Sequence, residues 1–125
     1  MKFLLDTHAL LWWLDDNPTL SRKAKQAISL EKNLIYVSAV SAWEIAIKKS
    51  LSKLEAPDDL EEVIKINDFI PLSISMSHTL EIVKLPNHHD DPFDRLLIAQ
   101  AKYEKLILIT RDANIIKYDI AVIEA

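Results

Sequence analysis

The sequence contains no cysteine and no glycine among its 125 residues. The absence of cysteine excludes disulfides, thiolate zinc sites and cysteine nucleophiles, and it is compatible with the reducing cytoplasm in which we expect the protein to act. The absence of glycine excludes phosphate-binding glycine loops and dinucleotide fingerprints, because both need glycine where the backbone approaches the ligand. Any chemistry must therefore use other residue types.

Long apolar runs and an excess of basic charge are also missing. No apolar stretch approaches the roughly 20 residues of a membrane span, and Asp6 interrupts the apolar start too early for a signal peptide. We therefore expect no membrane partner. The net charge is −4, whereas nucleic-acid binders usually carry a basic balance. A nucleic-acid contact would have to use a local basic patch or metal ions.

Short apolar runs alternate with helical patterns along the chain, which has the length of one domain (1–125). This alternation predicts an α/β fold with a mainly parallel sheet. The predicted strands are uninterrupted apolar runs, as a sheet covered on both faces requires. Strands are predicted at 2–5, 34–37, 69–72, 106–109 and 121–123. Helices are predicted at 7–14, 21–31, 41–51, 57–66, 75–84 and 92–103.

Four acidic residues lie where predicted strands end or helices begin. Asp6 ends the first strand, Glu44 lies just past the second, and Asp112 follows the strand at 106–109. Asp94 lies in the first turn of the helix that starts at Pro92. Ligands of open α/β sheets bind at the carboxyl ends of the strands, so we expect the four acids to share this edge.

Each acid also has a purely structural interpretation. Asp6 and Asp112 are suitable N-caps for the helices that follow them. The segment from Ser41 to Glu44 matches a capping box, and Glu44 could instead pair with Lys48 one turn further on. For any one acid alone, capping or pairing is a sufficient explanation.

Asp94 is harder to explain as a structural residue. If Asp91 caps the helix, the helix dipole favours an acid at position 94. At about 100° per residue, however, Asp94 lies on a stripe that contains Leu97, Ile98 and Ala101. An acid on an apolar stripe is costly unless it is paired or binds a metal.

Four acids at one edge would repel one another unless a cation lay among them. Clustered carboxylates without cysteine suit Mg²⁺, with Mn²⁺ as a substitute. Such ions activate water and neutralise charge on a transferring phosphate. We predict Asp6 and Asp94 as direct ligands. Glu44 and Asp112 could hold metal, position its water or accept a proton, and the sequence does not separate these roles.

The four segments that carry these acids resemble the PIN-domain family, in particular the VapC-type toxins of bacterial toxin–antitoxin systems. The matching segments are Leu-Asp-Thr-His-Ala-Leu-Leu-Trp at 5–12, Val-Ser-Ala-Val-Ser-Ala-Trp-Glu-Ile at 37–45, Asp-Pro-Phe-Asp-Arg-Leu-Leu-Ile-Ala-Gln-Ala at 91–101, and Leu-Ile-Thr-Arg-Asp at 108–112. The third is the most specific. The resemblance implies a three-layer α/β/α fold and a Mg²⁺-dependent endoribonuclease whose acidic quartet is Asp6, Glu44, Asp94 and Asp112. It also implies an RNA substrate, a homodimer and inhibition by a cognate antitoxin.

The chain departs from this pattern at two positions. Members often carry a basic residue where this chain has Asp90, and many have glycine near Lys105. The pair His88-His89 is interpreted as part of a solvated loop, with His89 possible at the rim of the site. Five basic residues could form a rim for phosphates, although scattered solvated side chains are the usual interpretation. These residues are Lys48, Lys49, Lys53, Arg95 and Arg111.

Two other functions remain open at the level of sequence. A receiver-like phosphotransfer domain also has an acidic Mg²⁺ pocket, but Asp6 lacks the acidic neighbours that such a domain usually has. A non-catalytic interaction module on a PIN-like scaffold would use the acids only as caps, because a fold never guarantees an activity. The intact quartet argues against this second alternative.

Overall fold

A computed structural model describes residues 1–125 and contains five strands and seven α-helices. The strands are β1 (Lys2–Leu5), β2 (Leu34–Ser38), β3 (Ile70–Leu72), β4 (Ile107–Thr110) and β5 (Val122–Glu124). The helices are α1 (Thr7–Leu14), α2 (Arg22–Ser29), α3 (Ala39–Ser50), α4 (Leu60–Ile66), α5 (Met76–Glu81), α6 (Pro92–Glu104) and α7 (Ala113–Ile116). A short 3-10 turn at Ile82–Lys84 follows α5. None of the helices is both long enough and apolar enough to cross a membrane.

The five strands form one sheet in the order β3-β2-β1-β4-β5, and every neighbouring pair is parallel. At the carboxyl end of β1, Leu5 is level with Val37 on one side and with Ile109 on the other. The chain moves outward from β1 towards β3 and then returns to add β4 on the opposite side. The crevice between β1 and β4 is therefore the switch point at which ligands bind in such sheets.

Side chains of β1 alternate between two cores, as strand geometry requires. Phe3 and Leu5 face a cluster that includes Leu10 of α1 and Ala24 of α2, whereas Leu4 faces the other cluster. That second cluster is built mainly from α6, with Leu96, Leu97, Ile98, Ala99 and Ala101, and it also includes Ile115 of α7. Helices thus cover both faces of a parallel sheet, and the prediction of a three-layer α/β/α fold is confirmed.

Most predicted boundaries agree with the structure to within two residues. The larger differences are at the start of α4 and at the end of the helix predicted at 75–84, where α5 ends at Glu81. Helix α3 begins at Ala39, because the Ser38 hydroxyl accepts the Val40 amide hydrogen and caps the helix. The alternative of a capping box formed by Ser41 and Glu44 is wrong, since both lie inside the helix. Helix α4 begins at 60 instead of 57, since 58–59 form a turn.

Candidate active site

Asp6 lies at the carboxyl end of the central strand, beside the switch point. Its amide donates to the Ile109 carbonyl of β4 at 3.1 Å, so the first residue after β1 stays level with the neighbouring strand. Its Oδ1 accepts the Ala9 amide at 2.8 Å and caps α1. The predicted capping role is therefore confirmed, and it directs the carboxylate to the edge of the sheet.

Burial is the main influence on the pKa of the Asp6 carboxyl, since Asp6 is only 6% exposed. Burial raises the pKa of Asp6, because a charged carboxylate is poorly solvated there. Hydrogen bonds from the Thr110 hydroxyl and the Ala9 amide oppose the shift in pKa, as does the charge of His8, whereas the negative charge of Asp112 increases it. Asp6 and Asp112 are therefore close enough to repel each other across the switch point.

Asp112 is held on the β4 side of the same crevice. Its amide donates to the Thr110 hydroxyl at 3.1 Å, and its Oδ1 accepts the Asn114 amide at 2.7 Å, which caps α7. This confirms the predicted cap. A single oxygen of the carboxylate makes that bond, so capping and a role in a site are compatible.

Asp94 lies in the first turn of α6. Asp91 caps this helix and accepts the Asp94 amide on its Oδ1 at 2.9 Å. Burial raises the pKa of Asp94 to about 6, and the charges of Asp91 and Asp112 add to this increase. A hydrogen bond with His89, at 3.2 Å between Nε2 and Oδ2, acts in the opposite direction. The negative charge of Asp112 thus raises the pKa of both Asp94 and Asp6, which places Asp112 near both of them.

Glu44 is 5% exposed and has a partner on each carboxylate oxygen. The Thr7 hydroxyl of α1 donates to Oε1 at 2.6 Å, and the Lys48 ammonium pairs with Oε2, as the second structural interpretation predicted. The hydrogen bond with Glu44 is the largest cause of the raised pKa of Lys48, and the charges of Asp91 and Asp94 also raise it. Lys48 therefore lies near Asp91 and Asp94 as well as against Glu44.

The donor set is suited to a hard cation. No three His, Cys, Asp or Glu side chains converge into a ready-made metal-binding group. However, burial raises the pKa of both Asp6 and Asp94, because the hydrogen bonds of each carboxylate do not fully offset the cost of burying its charge. A divalent ion bound by carboxylate oxygens would supply that compensation. Asp6 and Asp94, with Asp112 beside both, are the residues that fit such an ion.

The sequence model of the PIN-domain family matches residues 3–121 of this chain. The chain belongs to the PIN-domain family. The protein named ribonuclease VapC22 of Mycobacterium tuberculosis (strain ATCC 25618 / H37Rv) is similar to it, with 31% identity over 120 residues, which cover 90% of this chain and 88% of that one. The predicted resemblance to VapC-type PIN domains is confirmed.

Solved structures share the fold of this PIN domain at low sequence identity. The VapBC2 complex from Rickettsia felis, bound to a DNA fragment from its promoter, aligns with a TM-score of 0.73 at 15% identity, covering 98% of each chain. A toxin–antitoxin complex from Klebsiella pneumoniae aligns with a TM-score of 0.66 at 21% identity, covering 98% of this chain and 96% of that one. FitAcB from Neisseria gonorrhoeae has a TM-score of 0.65 at 20% identity, covering 99% of this chain and 97% of that chain.

Most of the predicted basic rim of the PIN domain is already engaged within the chain. Four of the five side chains make an intramolecular hydrogen bond or ion pair, so they do not form a freely solvated patch. The pairs are Lys48 with Glu44, Lys49 with Asp58, Arg95 with Tyr118, and Arg111 with the Ala125 carbonyl. Within this set, the charges of Asp91 and Asp94 raise the pKa of Lys48, although the Lys48 ammonium is itself paired with Glu44.

Sequence reasoning missed Tyr118 as a residue near the site. Its hydroxyl lies 2.9 Å from Nδ1 of His89, although the two residues are 29 positions apart. No local pattern marks this tyrosine, because it follows α7 in a segment without periodicity. The sequence placed His89 at the rim of the site as one possibility. In the structure its Nε2 is within hydrogen-bonding distance of the Asp94 carboxylate.

Proposed function

We propose that this PIN-domain protein is the toxin of a toxin–antitoxin pair and acts as a Mg²⁺-dependent endoribonuclease, with residues 1–125 as a single nuclease domain. The supporting observation is that Asp112 lies near both Asp6 and Asp94, and that burial together with its negative charge raises the pKa of both. Acids whose pKa is raised by burial and by a neighbouring charge are typical of functional sites. The proposed catalytic quartet is these three aspartates with Glu44.

Within the quartet, we assign the metal to Asp6 and Asp94. When bound, Mg²⁺ or Mn²⁺ supplies an activated water and positive charge opposite the phosphate. Asp112 adds negative charge beside both ligands and strengthens their attraction for the cation. Glu44 has both oxygens engaged, by Thr7 and Lys48, so its role is to hold the Lys48 ammonium at the edge of the site.

The substrate and partners of the proposed enzyme follow from its relatives. The similar M. tuberculosis protein is named a ribonuclease, and the structural neighbours are toxin–antitoxin complexes. We therefore propose RNA as the substrate and a cognate antitoxin as the inhibitor. From the resemblance to VapC-type toxins, we also propose a homodimer as the active form and the cytoplasm as the location. In this proposal the net charge of −4 is offset where RNA binds mainly by the metal, since Lys48 is itself paired with Glu44.

The first experiment incubates antitoxin-free protein with total RNA, in Mg²⁺ or in EDTA, beside an Asp94→Asn variant. Asparagine keeps the shape of the side chain and removes its charge. We expect discrete cleavage that needs metal and disappears in the variant. Asp90→Asn is the matched control, because Asp90 is an exposed acid in the preceding loop, and this variant should cleave like the wild type.

Two outcomes would contradict the proposal. Equal cleavage by the wild type and Asp94→Asn would exclude Asp94 from the site. No cleavage of several RNA pools by the wild type, together with no effect of millimolar Mg²⁺ or Mn²⁺ on its melting temperature, would favour the non-catalytic module. The oligomeric state is tested separately by light scattering, which should give twice the mass of one chain.

A further inference from the structure

His89 lies between Asp94 and Tyr118 in the loop that precedes α6. Its Nε2 is 3.2 Å from Oδ2 of Asp94, and its Nδ1 is 2.9 Å from the Tyr118 hydroxyl. The side chain of His89 is 12% exposed, and Tyr118 is 4% exposed. Both ring nitrogens of a largely buried histidine are therefore occupied, and one of them contacts a proposed metal ligand.

Arg95 and Asp94 together determine the direction of these hydrogen bonds, because the guanidinium can only donate and the carboxylate can only accept. A guanidinium can only donate, and Nη1 of Arg95 donates to the Tyr118 oxygen at 2.9 Å. The Tyr118 hydroxyl then accepts from Arg95, and its own proton is available for Nδ1 of His89. An Nδ1 that accepts leaves the neutral ring protonated at Nε2. That N–H donates to Asp94, whose carboxylate can only accept.

The same residues also restrain the orientation of the ring. Arg95 donates to the Pro86 carbonyl at 3.0 Å, which ties the loop to α6. Tyr118 packs edge-on against both His88 and His89, with ring centroids 4.8 and 5.5 Å apart. His88 shares this packing, but it makes no hydrogen bond to Asp94. The two adjacent histidines therefore share the packing on Tyr118, but only His89, the less exposed of the two, contacts Asp94 and the Tyr118 hydroxyl.

We propose that His89 is a positioning residue, whose Nε2–H holds the Asp94 carboxylate in the orientation that binds the metal. Tyr118 and Arg95 support it by fixing the tautomer of its ring. This inference rests on the function proposed above, because it assigns Asp94 to the metal. Outer hydrogen-bond partners of metal ligands contribute roughly 10- to 100-fold to metal affinity or activity. His89 acts through Asp94 and does not itself contact the metal.

The test measures Mn²⁺ binding to the apo-protein by electron paramagnetic resonance, without RNA. We expect His89→Leu to weaken Mn²⁺ binding by about 10- to 100-fold. His89→Gln keeps an N–H donor of similar reach and should restore most of the affinity. Tyr118→Phe keeps the ring packing and should give a smaller loss. His88→Leu is the matched control and should bind Mn²⁺ like the wild type.

RNA cleavage over a range of Mn²⁺ concentrations provides the second readout. A positioning role raises the Mn²⁺ concentration that His89→Leu needs for half-maximal rate, while saturating metal restores much of the rate. A purely structural role of the loop would instead lower the melting temperature in EDTA without changing Mn²⁺ affinity.

Three outcomes would overturn the inference. These are unchanged Mn²⁺ affinity in His89→Leu, equal losses in His89→Leu and His88→Leu, or failure of His89→Gln to recover affinity while it melts like the wild type. If the wild type itself binds no Mn²⁺, the proposed function fails first and the inference with it. That result is distinct from normal wild-type binding with unaffected variants.

Discussion

The hydroxyl of Thr7 donates to Oε1 of Glu44 at 2.6 Å, joining two buried residues that are 37 positions apart. The same hydroxyl lies 3.1 Å from Oγ of Ser41. Because Thr7 follows Asp6 directly, the turn that leads out of the central strand also determines where the Glu44 carboxylate points. The helix after β1 and the helix after β2 are thus coupled at the proposed site.

The first prediction concerns this coupling. Thr7→Val keeps the branched shape of the side chain and removes the donor, which leaves Oε1 of the buried Glu44 without that partner. We expect the free energy of unfolding to fall by about 1.5–3 kcal/mol, the contribution of a hydrogen bond to a charged group. Urea denaturation measures it. Thr79→Val is the control, because Thr79 is exposed and bonds only the Met76 carbonyl of its own helix. Equal losses in both variants would contradict the prediction.

The second prediction concerns the pH dependence of stability without metal. Burial raises the pKa of Asp94 to about 6, above the unfolded value of about 3.9. The folded state then binds the proton more tightly than the unfolded chain. The contribution of Asp94 to stability is therefore greatest below about pH 4, falls as the pH rises to about 6, and is constant above that value. Asp6 acts in the same direction.

Asp94→Asn isolates this contribution. In EDTA, the variant should gain stability relative to the wild type between pH 4.5 and pH 7. The upper limit is about 2 kcal/mol, because part of the effect of the raised pKa is already present at pH 4.5. Urea denaturation at the two pH values measures the difference. If the difference in free energy of unfolding between the variant and the wild type were the same at both pH values, burial would not raise the pKa of Asp94.

The third prediction separates capping by Asp6 from metal binding. Asparagine caps helices about as well as aspartate, so Asp6→Asn should keep α1 intact. Metal that binds only the folded state should stabilise the wild type by about 2.7 kcal/mol at 100 times its dissociation constant. We expect Asp6→Asn to lose this stabilisation, as followed by the melting temperature with and without Mn²⁺. Asp15→Asn, an exposed acid after α1, should keep it. A full metal response in Asp6→Asn would remove Asp6 from the ligand set.

The fourth prediction concerns Lys105, which follows α6 with a left-handed backbone at φ 57°. Family members often have glycine near this position, and glycine avoids the steric cost of this conformation, roughly 1–2 kcal/mol. Lys105→Gly should therefore raise the free energy of unfolding by about 1 kcal/mol. Lys102→Gly, inside the same helix, should lower it by a similar amount. Urea denaturation compares them, and destabilisation by Lys105→Gly would contradict the prediction.

Strands and helix caps could be predicted from the sequence, because each depends on residues only a few positions apart. Uninterrupted apolar runs such as Phe3-Leu4-Leu5 predicted strands buried on both faces, and those side chains are buried. Asp6, Asp91 and Asp112 were recognised as caps, and each accepts the backbone amide of a residue two or three positions further on. The interpretation of Ser41 with Glu44 as a cap was wrong, because Ser38 offers the helix an earlier start.

The sequence alone determined the alternation of strands and helices, the apolar surroundings of Asp94 and the expectation of acids at one edge of the sheet. These features depend on side-chain periodicity and on residues next to strand ends. The strand order, the hydrogen bond of Glu44 with Thr7 and the contacts of His89 with Asp94 and Tyr118 were decided only in the folded chain. Thr7 and Tyr118 make hydrogen bonds to residues far away in the chain. Such bonds form only after the strands take their order and both faces of the sheet are packed, and no local pattern encodes that arrangement.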